Sequence, residues 1–302
     1  MTKPIIPPVL KSGDRVAIIS TARSIDTEKL SFAIQLMENW GLTCIEGPNL
    51  RKVFNQFAGT DVERAADLQW AIANENVQGI ICFRGGYGTI QIMDKVNFKP
   101  LLSNPKWVCG YSDITVLHNK MHSMGIASLH STMPINFGDN TSEAISTLFN
   151  ALFKKQVKLI SPASTFNKSG ECNGQAVGGN LSILCSLSGT NMDLETKGKI
   201  LFLEDLDEYL YHIDRMMHNL KKSGKLHGLA GLVVGGMTDM NDNEISFGKT
   251  AYEIIQAATA EFSYPICYDL PFGHIHDNQS VILGMNYTLS VTPSGGVLRN
   301  SE

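Results

Sequence analysis

Apolar and polar residues alternate along the first half of the chain in two distinct ways. Short, almost uninterrupted apolar runs predict buried β-strands at 15–20, 41–47, 79–84, 106–110 and 126–131. Between them, apolar residues recur every three or four positions and predict helices at 27–40, 61–74, 114–124 and 143–153. Such regular alternation is typical of an α/β fold, in which helices cover both faces of a parallel sheet. We therefore predict an N-terminal α/β domain over residues 1–153.

Two threonines mark the expected starts of helices in this half. Thr60 precedes a helical pattern with acidic residues in its first turn, and Thr27 is placed to cap the first helix.

In parallel sheets, ligands bind beyond the carboxyl ends of the strands. Arg84 and Ser112 both fall at such strand ends, so they are candidate site residues.

The second half of the chain has a different pattern. Residues 154–172 (KKQVKLISPASTFNKSGEC) lose regular periodicity and are rich in Ser, Lys and Pro, which predicts a linker. Beyond it come a glycine-rich segment at 174–180 and apolar runs at 199–204, 229–236 and 265–271. Helical patterns lie at 208–222 and 249–262. Gly224 follows the helix predicted at 208–222 as its C-cap residue. With its β-rich tail, this half predicts a mixed, β-rich C-terminal domain over residues 173–302.

Composition and charge exclude several classes of protein. A length of 302 residues favours two domains, and 43% hydrophobic with 18% charged residues is typical of a globular protein. The net charge is −4 and no segment concentrates Lys and Arg, so nucleic acid is not an expected partner. The start of the chain is not a signal peptide, and no apolar run approaches the roughly 20 residues that span a bilayer. We expect a cytoplasmic protein without a membrane partner.

The six cysteines form no metal-binding pattern. They are scattered, and none belongs to a CxxC pair or another spacing typical of a metal site. Cys82 and Cys109 lie inside apolar strand patterns, so we predict small, reduced core residues.

The sequence Gly-Tyr-Ser-Asp at 110–113 joins a predicted strand directly to a predicted helix. It resembles a nucleophile elbow, the sharp turn that exposes a serine hydroxyl above a sheet. In that interpretation Ser112 is a nucleophile and the backbone N–H of Asp113 is an oxyanion donor. Ile114 stands where the usual motif has a second glycine. The alternative is that Ser112 simply caps the helix that follows.

A serine nucleophile needs a base, and the sequence contains eight histidines. His118 and His122 lie four residues apart on a predicted helix, but no carboxylate accompanies them as in HExxH metal sites. Packing or solvent exposure is therefore expected for both. His130 falls at a strand end, where it could line a site. Three further histidines are expected at the surface, on or near an amphipathic helix: His212, His218 and His227.

The segment GHIHDN at 273–278 is a glycine-flanked loop, and it supplies the last two histidines, His274 and His276. Loops held between strands often carry catalytic side chains. An orienting acid is offered by Glu204, which emerges at the end of the apolar run Leu-Phe-Leu. Four acids lie close together there and could instead form a solvated loop or a divalent-cation site: Glu204, Asp205, Asp207 and Glu208.

The glycine-rich segment FRGGYGTI at 83–90 also follows a predicted strand. It matches neither GxGxxG nor GxxxxGK[ST], so it is weak evidence for a nucleotide site. Adjacent glycines do let the backbone approach a substrate closely, which suits an oxyanion hole or a peptide groove.

Taken in order, FRGGYG, GYSDIT, GGNLSIL, LFLEDLDEYLYHIDRMMHNLKKSG and GHIHDN resemble the LD-carboxypeptidase family, the murein tetrapeptide carboxypeptidases. The similarity covers nearly the whole chain, from RVAIISTARS to the β-rich tail. It implies an N-terminal α/β domain, a β-rich C-terminal domain and a Ser-Glu-His triad formed between them.

Carried over residue by residue, the resemblance assigns five positions. Ser112 is the expected nucleophile, Glu204 the orienting acid and His274 the general base. The backbone amides of Gly86 and Asp113 are the expected oxyanion hole.

The resemblance also implies an activity and a partner. The expected reaction releases terminal D-alanine from a cytoplasmic murein tetrapeptide by cutting an L,D-amide bond, with no metal or organic cofactor. Arg84 and Tyr87 are candidate substrate-binding residues, and Arg84 either binds the free carboxylate or locks its own loop. A homodimer is expected from the family.

Three positions depart from the usual family pattern. Gln91 stands where an arginine is common, residues 130–134 read HSTMP rather than beginning His-Gly-Pro-Met, and His276 replaces a small residue. None of them is a member of the expected triad, so they bear on the substrate more than on the chemistry.

Three other functions agree less well with the sequence. Some relatives cleave peptidyl-nucleotide antibiotics and confer immunity, but they tend to be longer, with an added loop for the nucleotide. A non-catalytic dinucleotide-binding protein would need a glycine fingerprint after RVAIIS, and STARSID supplies none. A catalytically inactive peptide sensor is disfavoured by the intact Ser112, Glu204 and His274.

Overall fold

The structure, a computed structural model, describes residues 4–300 and contains two β-sheets. The strands are β1 (Arg15–Ile19), β2 (Thr43–Glu46), β3 (Gly79–Cys82), β4 (Trp107–Gly110), β5 (Ser128–His130), β6 (Lys158–Ile160), β7 (Gly170–Asn180), β8 (Ile200–Leu206), β9 (Gly231–Thr238), β10 (Ile266–Cys267), β11 (Val281–Leu283), β12 (Asn286–Thr292) and β13 (Gly295–Asn300).

Helices connect most of these strands. The α-helices are α1 (Thr27–Asn39), α2 (Asp61–Ala73), α3 (Pro100–Ser103), α4 (Thr115–Ser123), α5 (Ser142–Lys154), α6 (Leu181–Ser186), α7 (Leu210–Lys222) and α8 (Ala251–Thr259). Short 3₁₀ helices lie at Thr89–Lys95, Ser112–Ile114 and Pro134–Asn136.

The first sheet has the strand order β11-β5-β4-β3-β1-β2, and its five N-terminal strands run parallel. Val16 and Ile18 of β1 pack in one apolar cluster with α1 and α5. Ala17 and Ile19 pack in another with α2 and α4. Because successive side chains of a strand point to opposite faces, helices cover both faces of the sheet. The predicted α/β architecture is confirmed.

The second sheet has the order β10-β9-β8-β7-β12-β13-β6. Strands β7 to β10 run parallel, whereas β12, β13 and β6 are antiparallel and form the β-rich part predicted for this half. Helices α7 and α8 pack against the parallel strands through a third apolar cluster that includes Leu203, Ile213 and Ile254. The C-terminal half is therefore mixed, as expected.

Two short strands cross the predicted domain boundaries. Residues 158–160, inside the predicted linker, form β6. This strand pairs with β13, and Leu159 lies opposite Leu298. Residues 281–283 return to the first sheet, where Val281 pairs antiparallel with His130. A three-residue strand leaves almost no periodic signal, so the sequence pattern did not reveal either pairing. Residues 1–3 and 301–302 of the predicted domains lie outside the described residues.

Helix ends follow the expected capping chemistry with two corrections. Thr60 and Glu63 form a capping box at the start of α2, as predicted for Thr60. The cap of α1 is Asp26 rather than Thr27, because the Asp26 carboxylate accepts the backbone N–H groups of Glu28 and Lys29. The C-cap of α7 is Ser223, and Gly224, predicted as the C-cap, follows it with a positive φ of 80°.

All six cysteines are free thiols, and Cys82 and Cys109 are buried, as predicted. Among residues 4–300, no helix combines the length and apolar character needed to cross a bilayer.

Candidate active site

The turn after β4 holds Ser112 in a strained conformation. Its φ of 64° lies in the left-handed region, which a serine adopts only where the surrounding structure imposes it. Gly110 makes the turn possible, because a Cβ there would lie 2.8 Å from the Cγ1 atom of Ile114. The buried Ile114 thus occupies the space that a side chain at position 110 would need. Ser112 does not act as a side-chain cap of the helix that follows, since no capping hydrogen bond forms there.

The hydroxyl of Ser112 faces a histidine from the C-terminal half. His274 Nε2 lies 3.1 Å from Ser112 Oγ, and His274 Nδ1 lies 2.6 Å from Glu204 Oε2. The three side chains therefore form a continuous chain of hydrogen bonds that runs from Ser112 through His274 to Glu204. Glu204 is fully buried, the His274 side chain is 13% exposed and Ser112 is half-buried, so exposure to solvent begins toward the serine.

Burial and mutual attraction set the charges of this pair. Burial disfavours the charged imidazolium, but the adjacent Glu204 carboxylate holds the pKa of His274 above its ordinary value. Burial also opposes ionisation of Glu204, but the neighbouring His274 lowers the pKa of that carboxyl below its ordinary value. Since the ionised Glu204 accepts from Nδ1–H, the lone pair of Nε2 is directed at the serine hydroxyl.

Backbone irregularities position the acid and the histidine. The pairing of β8 with β9 shifts register between Leu203 and Asp205, so Glu204 lies at a bulge, a device that commonly redirects a side chain at active sites. Gly273 has a φ of 97°, and a Cβ there would lie 2.6 Å from the Cβ atom of Glu204. Glycine is therefore required next to His274.

Three contacts fix the His274 ring and its backbone. The ring of Tyr111 lies 4.8 Å from the imidazole, measured between centroids. Thr238 Oγ1 donates to the His274 carbonyl at 2.7 Å, and Asn278 Oδ1 accepts the Gly273 N–H at 2.8 Å. These contacts come from both halves of the chain, so the histidine is held between the two sheets.

The glycine-rich loop lies against the serine. A Cβ on Gly85 would be 3.0 Å from the Cβ atom of Ser112 and 3.3 Å from the backbone nitrogen of Asp113. The Asp113 carboxylate accepts the N–H of Thr89 at 2.8 Å and so ties the end of this loop to the serine turn. The backbone of the glycine-rich loop and the start of the helix after Ser112 therefore both lie next to the serine side chain.

A buried arginine that the sequence did not single out also holds this loop. Arg64 is 2% exposed, and its Nη1 donates to the carbonyls of Thr21 and Gly88 at 2.6 and 2.9 Å. Its Nη2 donates to Gln91 Oε1 at 2.9 Å. Gln91, one of the departures from the family pattern, therefore serves to hold Arg64. Nothing in the sequence distinguishes Arg64 from an exposed helical arginine.

The two candidate substrate-binding residues lie at the edge of this loop. Arg84 is half-buried, and its Nη1 donates to the Ser24 carbonyl at 3.3 Å. Tyr87 is 47% exposed, and its ring lies 6.4 Å from that of Phe57. Both positions are close in sequence to Gly85, which lies against Ser112.

The remaining histidines are separate from the serine. His118 is buried and bonds to Ser128 and to the Gly110 carbonyl, and His130 is buried between the rings of Tyr111 and Phe272. The other members of 130–134 are buried as well. His122 contacts Lys199, and the last three lie at or near the surface: His212, His218 and His227.

The four clustered acids point in different directions. Asp205 accepts from Asn180 Nδ2 and from the N–H of Ser182 at the start of α6, whereas Glu208 contacts His212 at 2.5 Å. Within the described part of the chain, no three His, Cys, Asp or Glu side chains converge as a metal site would require.

A cleft of about 650 Å³ adjoins His274, and no residue of the glycine loop is among its described lining residues. Its lining includes Asn136, Asn140, Asp239 and the exposed His276, whose Nδ1 lies 3.2 Å from the Asp139 carbonyl. His276 therefore faces the cleft and makes no contact with Ser112.

Comparison with known proteins places this geometry in a family. The profile of the LD-carboxypeptidase N-terminal domain matches residues 16–131, and that of the LD-carboxypeptidase C-terminal domain matches residues 173–289. The chain belongs to the LD-carboxypeptidase family. The family assignment predicted from the sequence motifs is confirmed, and the protein is a serine-type carboxypeptidase, a hydrolase.

Several LD-carboxypeptidases resemble the chain over almost its full length. The probable murein peptide carboxypeptidase of Bacillus subtilis (strain 168) is 37% identical, over 97% of this chain and 93% of the relative. The murein tetrapeptide carboxypeptidase of Pseudomonas aeruginosa is 28% identical, over 88% of this chain and 90% of the relative.

Solved structures share the two-domain fold. The muramoyltetrapeptide carboxypeptidase from Oxalobacter formigenes superposes with a TM-score of 0.87 at 25% identity, over 95% of this chain and 99% of that one. The microcin C7 self immunity protein MccF has the same TM-score at 18% identity, over 99% of both chains, and this similarity extends to the fold alone.

Proposed function

We propose that the protein releases terminal D-alanine from murein tetrapeptide by hydrolysing the L,D-amide bond, with Ser112, His274 and Glu204 as its catalytic triad. The observation that carries this proposal is the unbroken chain of hydrogen bonds from Ser112 Oγ through His274 to Glu204. A nucleophile, a base and an orienting acid within hydrogen-bond reach are the parts that acyl transfer requires.

The first half of the reaction forms an acyl-enzyme. His274 Nε2 accepts the Ser112 proton as Oγ attacks the carbonyl carbon, and the resulting imidazolium is stabilised by the Glu204 carboxylate. When the tetrahedral intermediate collapses, His274 returns the proton to the amine of the departing D-alanine. The carbon–nitrogen bond breaks, and the acyl group remains on Ser112.

Water completes the cycle by the same route in reverse. His274 takes a proton from a water molecule that attacks the ester carbonyl, and Ser112 leaves with its proton restored. The net reaction consumes one water molecule and yields a shortened peptide and free D-alanine, so it needs no redox partner.

The oxyanion that forms in each half needs hydrogen-bond donors. We assign this role to the backbone amides of Gly86 and Asp113, because the glycine loop and the start of the helix after Ser112 border the serine from two sides. The positive end of that helix also favours negative charge at this point.

The substrate class is supported by the relatives. The chain is 37% identical to a relative named for murein peptides but only 18% identical to the microcin immunity protein. Arg84 and Tyr87 flank the pair Gly85 and Gly86, and we propose that both contact the peptide. We place this activity in cytoplasmic peptidoglycan recycling and expect a homodimer, which light scattering coupled to size-exclusion chromatography would measure.

The test compares two substrates with the purified protein. D-alanine is quantified after incubation with L-Ala-γ-D-Glu-diaminopimelate-D-Ala, and amide cleavage is followed in parallel with a peptidyl-nucleotide. Release of D-alanine at a rate well above that of peptidyl-nucleotide cleavage is the expected result. Cleavage of the peptidyl-nucleotide alone would contradict the murein substrate and favour an immunity function.

A further inference from the structure

Two arginines flank the glycine loop without an acidic partner. The side chain of Arg23 runs directly over Gly86, where a Cβ would lie 2.7 Å from Arg23 Cδ and 2.8 Å from its Nε. The neighbouring glycine, Gly85, approaches Ser112 in the same way, with a Cβ position 3.2 Å from Oγ. A guanidinium group and the serine hydroxyl thus lie against adjacent residues of one loop.

The second guanidinium, that of Arg84, lies near the first. Burial lowers the pKa of Arg84, and the positive charge of Arg23 lowers it further, which indicates that the two cations repel each other. Within residues 4–300, neither guanidinium lies within 4.0 Å of a carboxylate oxygen. The charge of Asp26 does reach Arg84, and that of Asp113 reaches Arg23. The Asp26 carboxylate, however, caps α1, and the Asp113 carboxylate accepts the Thr89 N–H.

The backbone of Arg23 is fixed while its charged group remains exposed. The Arg23 carbonyl accepts from Ser20 Oγ at 2.7 Å, and Arg23 forms an isolated antiparallel bridge with Phe57. No hydrogen bond within the described chain engages its guanidinium, and the residue is exposed. Two neighbouring cations without an ion-pair partner, beside a loop that contacts the nucleophile, form a site suited to an anion.

The proposed reaction supplies an anion at the right place. The leaving residue carries a free α-carboxylate three covalent bonds from the attacked carbonyl carbon, and therefore within about 4 Å of it. A group that binds this carboxylate must lie close to Ser112. Arginine suits the task, because its planar guanidinium matches a carboxylate with two parallel hydrogen bonds.

The cleft beside His274 is less suited to this carboxylate. It is lined by Asp139, which pairs with Lys29 at 2.7 Å, and by Asp239, which lies within 4.0 Å of no described Lys, Arg or His nitrogen. A carboxylate there would face the charge of Asp239, whereas beside the glycine loop it would relieve the repulsion between Arg23 and Arg84.

We propose that Arg23, supported by Arg84, binds the free terminal carboxylate of the substrate and so selects for the C-terminal residue. This inference rests on the proposed function and adds a specificity residue to it. Arg23 was not among the sequence candidates, because its contact with Gly86 depends on the fold of two loops.

The test uses two tetrapeptides that differ only at the terminus, one ending in D-alanine and the other in D-alaninamide. Release of D-alanine and of D-alaninamide is measured for the wild type and for Arg23→Gln, Arg23→Lys and Arg84→Gln. Arg51→Gln is the matched control, because Arg51 pairs with Glu46 far from the loop in sequence and contacts no proposed site residue. Labelling of Ser112 by a fluorophosphonate reports whether the nucleophile remains active in each variant.

We expect Arg23→Gln to lower kcat/KM for the acid by about 10- to 100-fold, the range for a charge-assisted hydrogen bond, chiefly through KM. Its effect on the amide should be small, its fluorophosphonate labelling should match the wild type, and Arg23→Lys should be intermediate. The preference for acid over amide should therefore collapse in Arg23→Gln and persist in Arg51→Gln.

Equal losses on both peptides, or an unchanged preference in Arg23→Gln, would overturn the assignment of Arg23 while leaving the proposed function intact. Failure of the wild type to release either amine would instead contradict the proposed function itself.

Discussion

The carboxylate of Asp113 accepts the backbone N–H of Thr89 at 2.8 Å, and this bond joins the serine turn to the glycine-rich loop. Asp113 directly follows Ser112, and Thr89 directly follows the last glycine of the loop. The two proposed oxyanion donors, the amides of Gly86 and Asp113, therefore lie on segments that one buried side chain ties together.

Replacing Asp113 tests this tie. Asp113→Ala leaves the buried Thr89 N–H without an acceptor, so we expect a loss of about 1–3 kcal/mol in the free energy of unfolding. Displacement of the loop by about 1 Å should also lower kcat on the order of 10²-fold. Asp113→Asn keeps an acceptor oxygen and is the matched control. Urea unfolding and D-alanine release would measure both effects, and equal behaviour of the two variants would contradict this role.

The pH dependence of activity follows from Glu204. The general base must be neutral, and Glu204 holds the pKa of His274 above its ordinary value of 6.5 despite burial. We therefore expect kcat/KM to fall as the pH drops through a value above 6.5. In Glu204→Gln the largest raising charge is lost while burial and the smaller effect of Asp205 remain, so the midpoint should move to lower pH. The value of kcat should fall by about 10³- to 10⁴-fold.

Glu208→Gln is the control for this prediction, because Glu208 contacts His212 rather than His274. Its pH profile should match that of the wild type. An acidic midpoint that is unchanged in Glu204→Gln would show that Glu204 does not set the charge of the base.

Buried His118 makes the fold sensitive to acid. Burial lowers the pKa of His118 to about 3, while its ring bonds to Ser128 and to the Gly110 carbonyl before the serine turn. Below about pH 6.5 the unfolded chain binds a proton at this histidine that the folded chain does not. The free energy of unfolding should therefore fall with decreasing pH, by about 1.4 kcal/mol per pH unit from this residue.

Urea unfolding at pH 7 and pH 5 measures this slope. His118→Gln should unfold at lower urea than the wild type at pH 7 and show a shallower dependence on pH. His218→Gln, a change at an exposed position, should keep the wild-type slope. A wild-type slope in His118→Gln would assign the acid sensitivity to other groups.

The sequence predicted the parts of the site that lie at strand ends. Ser112 follows β4 and Glu204 lies near the carboxyl end of β8, and both positions were visible as polar residues that end apolar runs. The family resemblance singled out His274 over His276, and the structure places only His274 beside Ser112. Capping also followed local rules, as the Thr60 capping box shows, although Asp26 rather than Thr27 caps α1.

Contacts between segments far apart in sequence were not predictable. Arg64 appears in the sequence as an ordinary polar residue of an amphipathic helix, yet it is buried and bonds to the carbonyls of Thr21 and Gly88. The return of Val281 to the first sheet and the pairing of residues 158–160 involve strands too short to carry a periodic signal. Only the folded arrangement of the loops brings Arg23 to Gly86.

The central claim is that Ser112 is the nucleophile, and the most direct test is D-alanine release from the tetrapeptide by the wild type and by Ser112→Ala. The account predicts release by the wild type and a loss on the order of 10⁴-fold or more in the variant, with near-normal unfolding by urea. Equal release by both proteins would mean that the strained serine after β4 takes no part in the chemistry, and the proposed mechanism would be wrong.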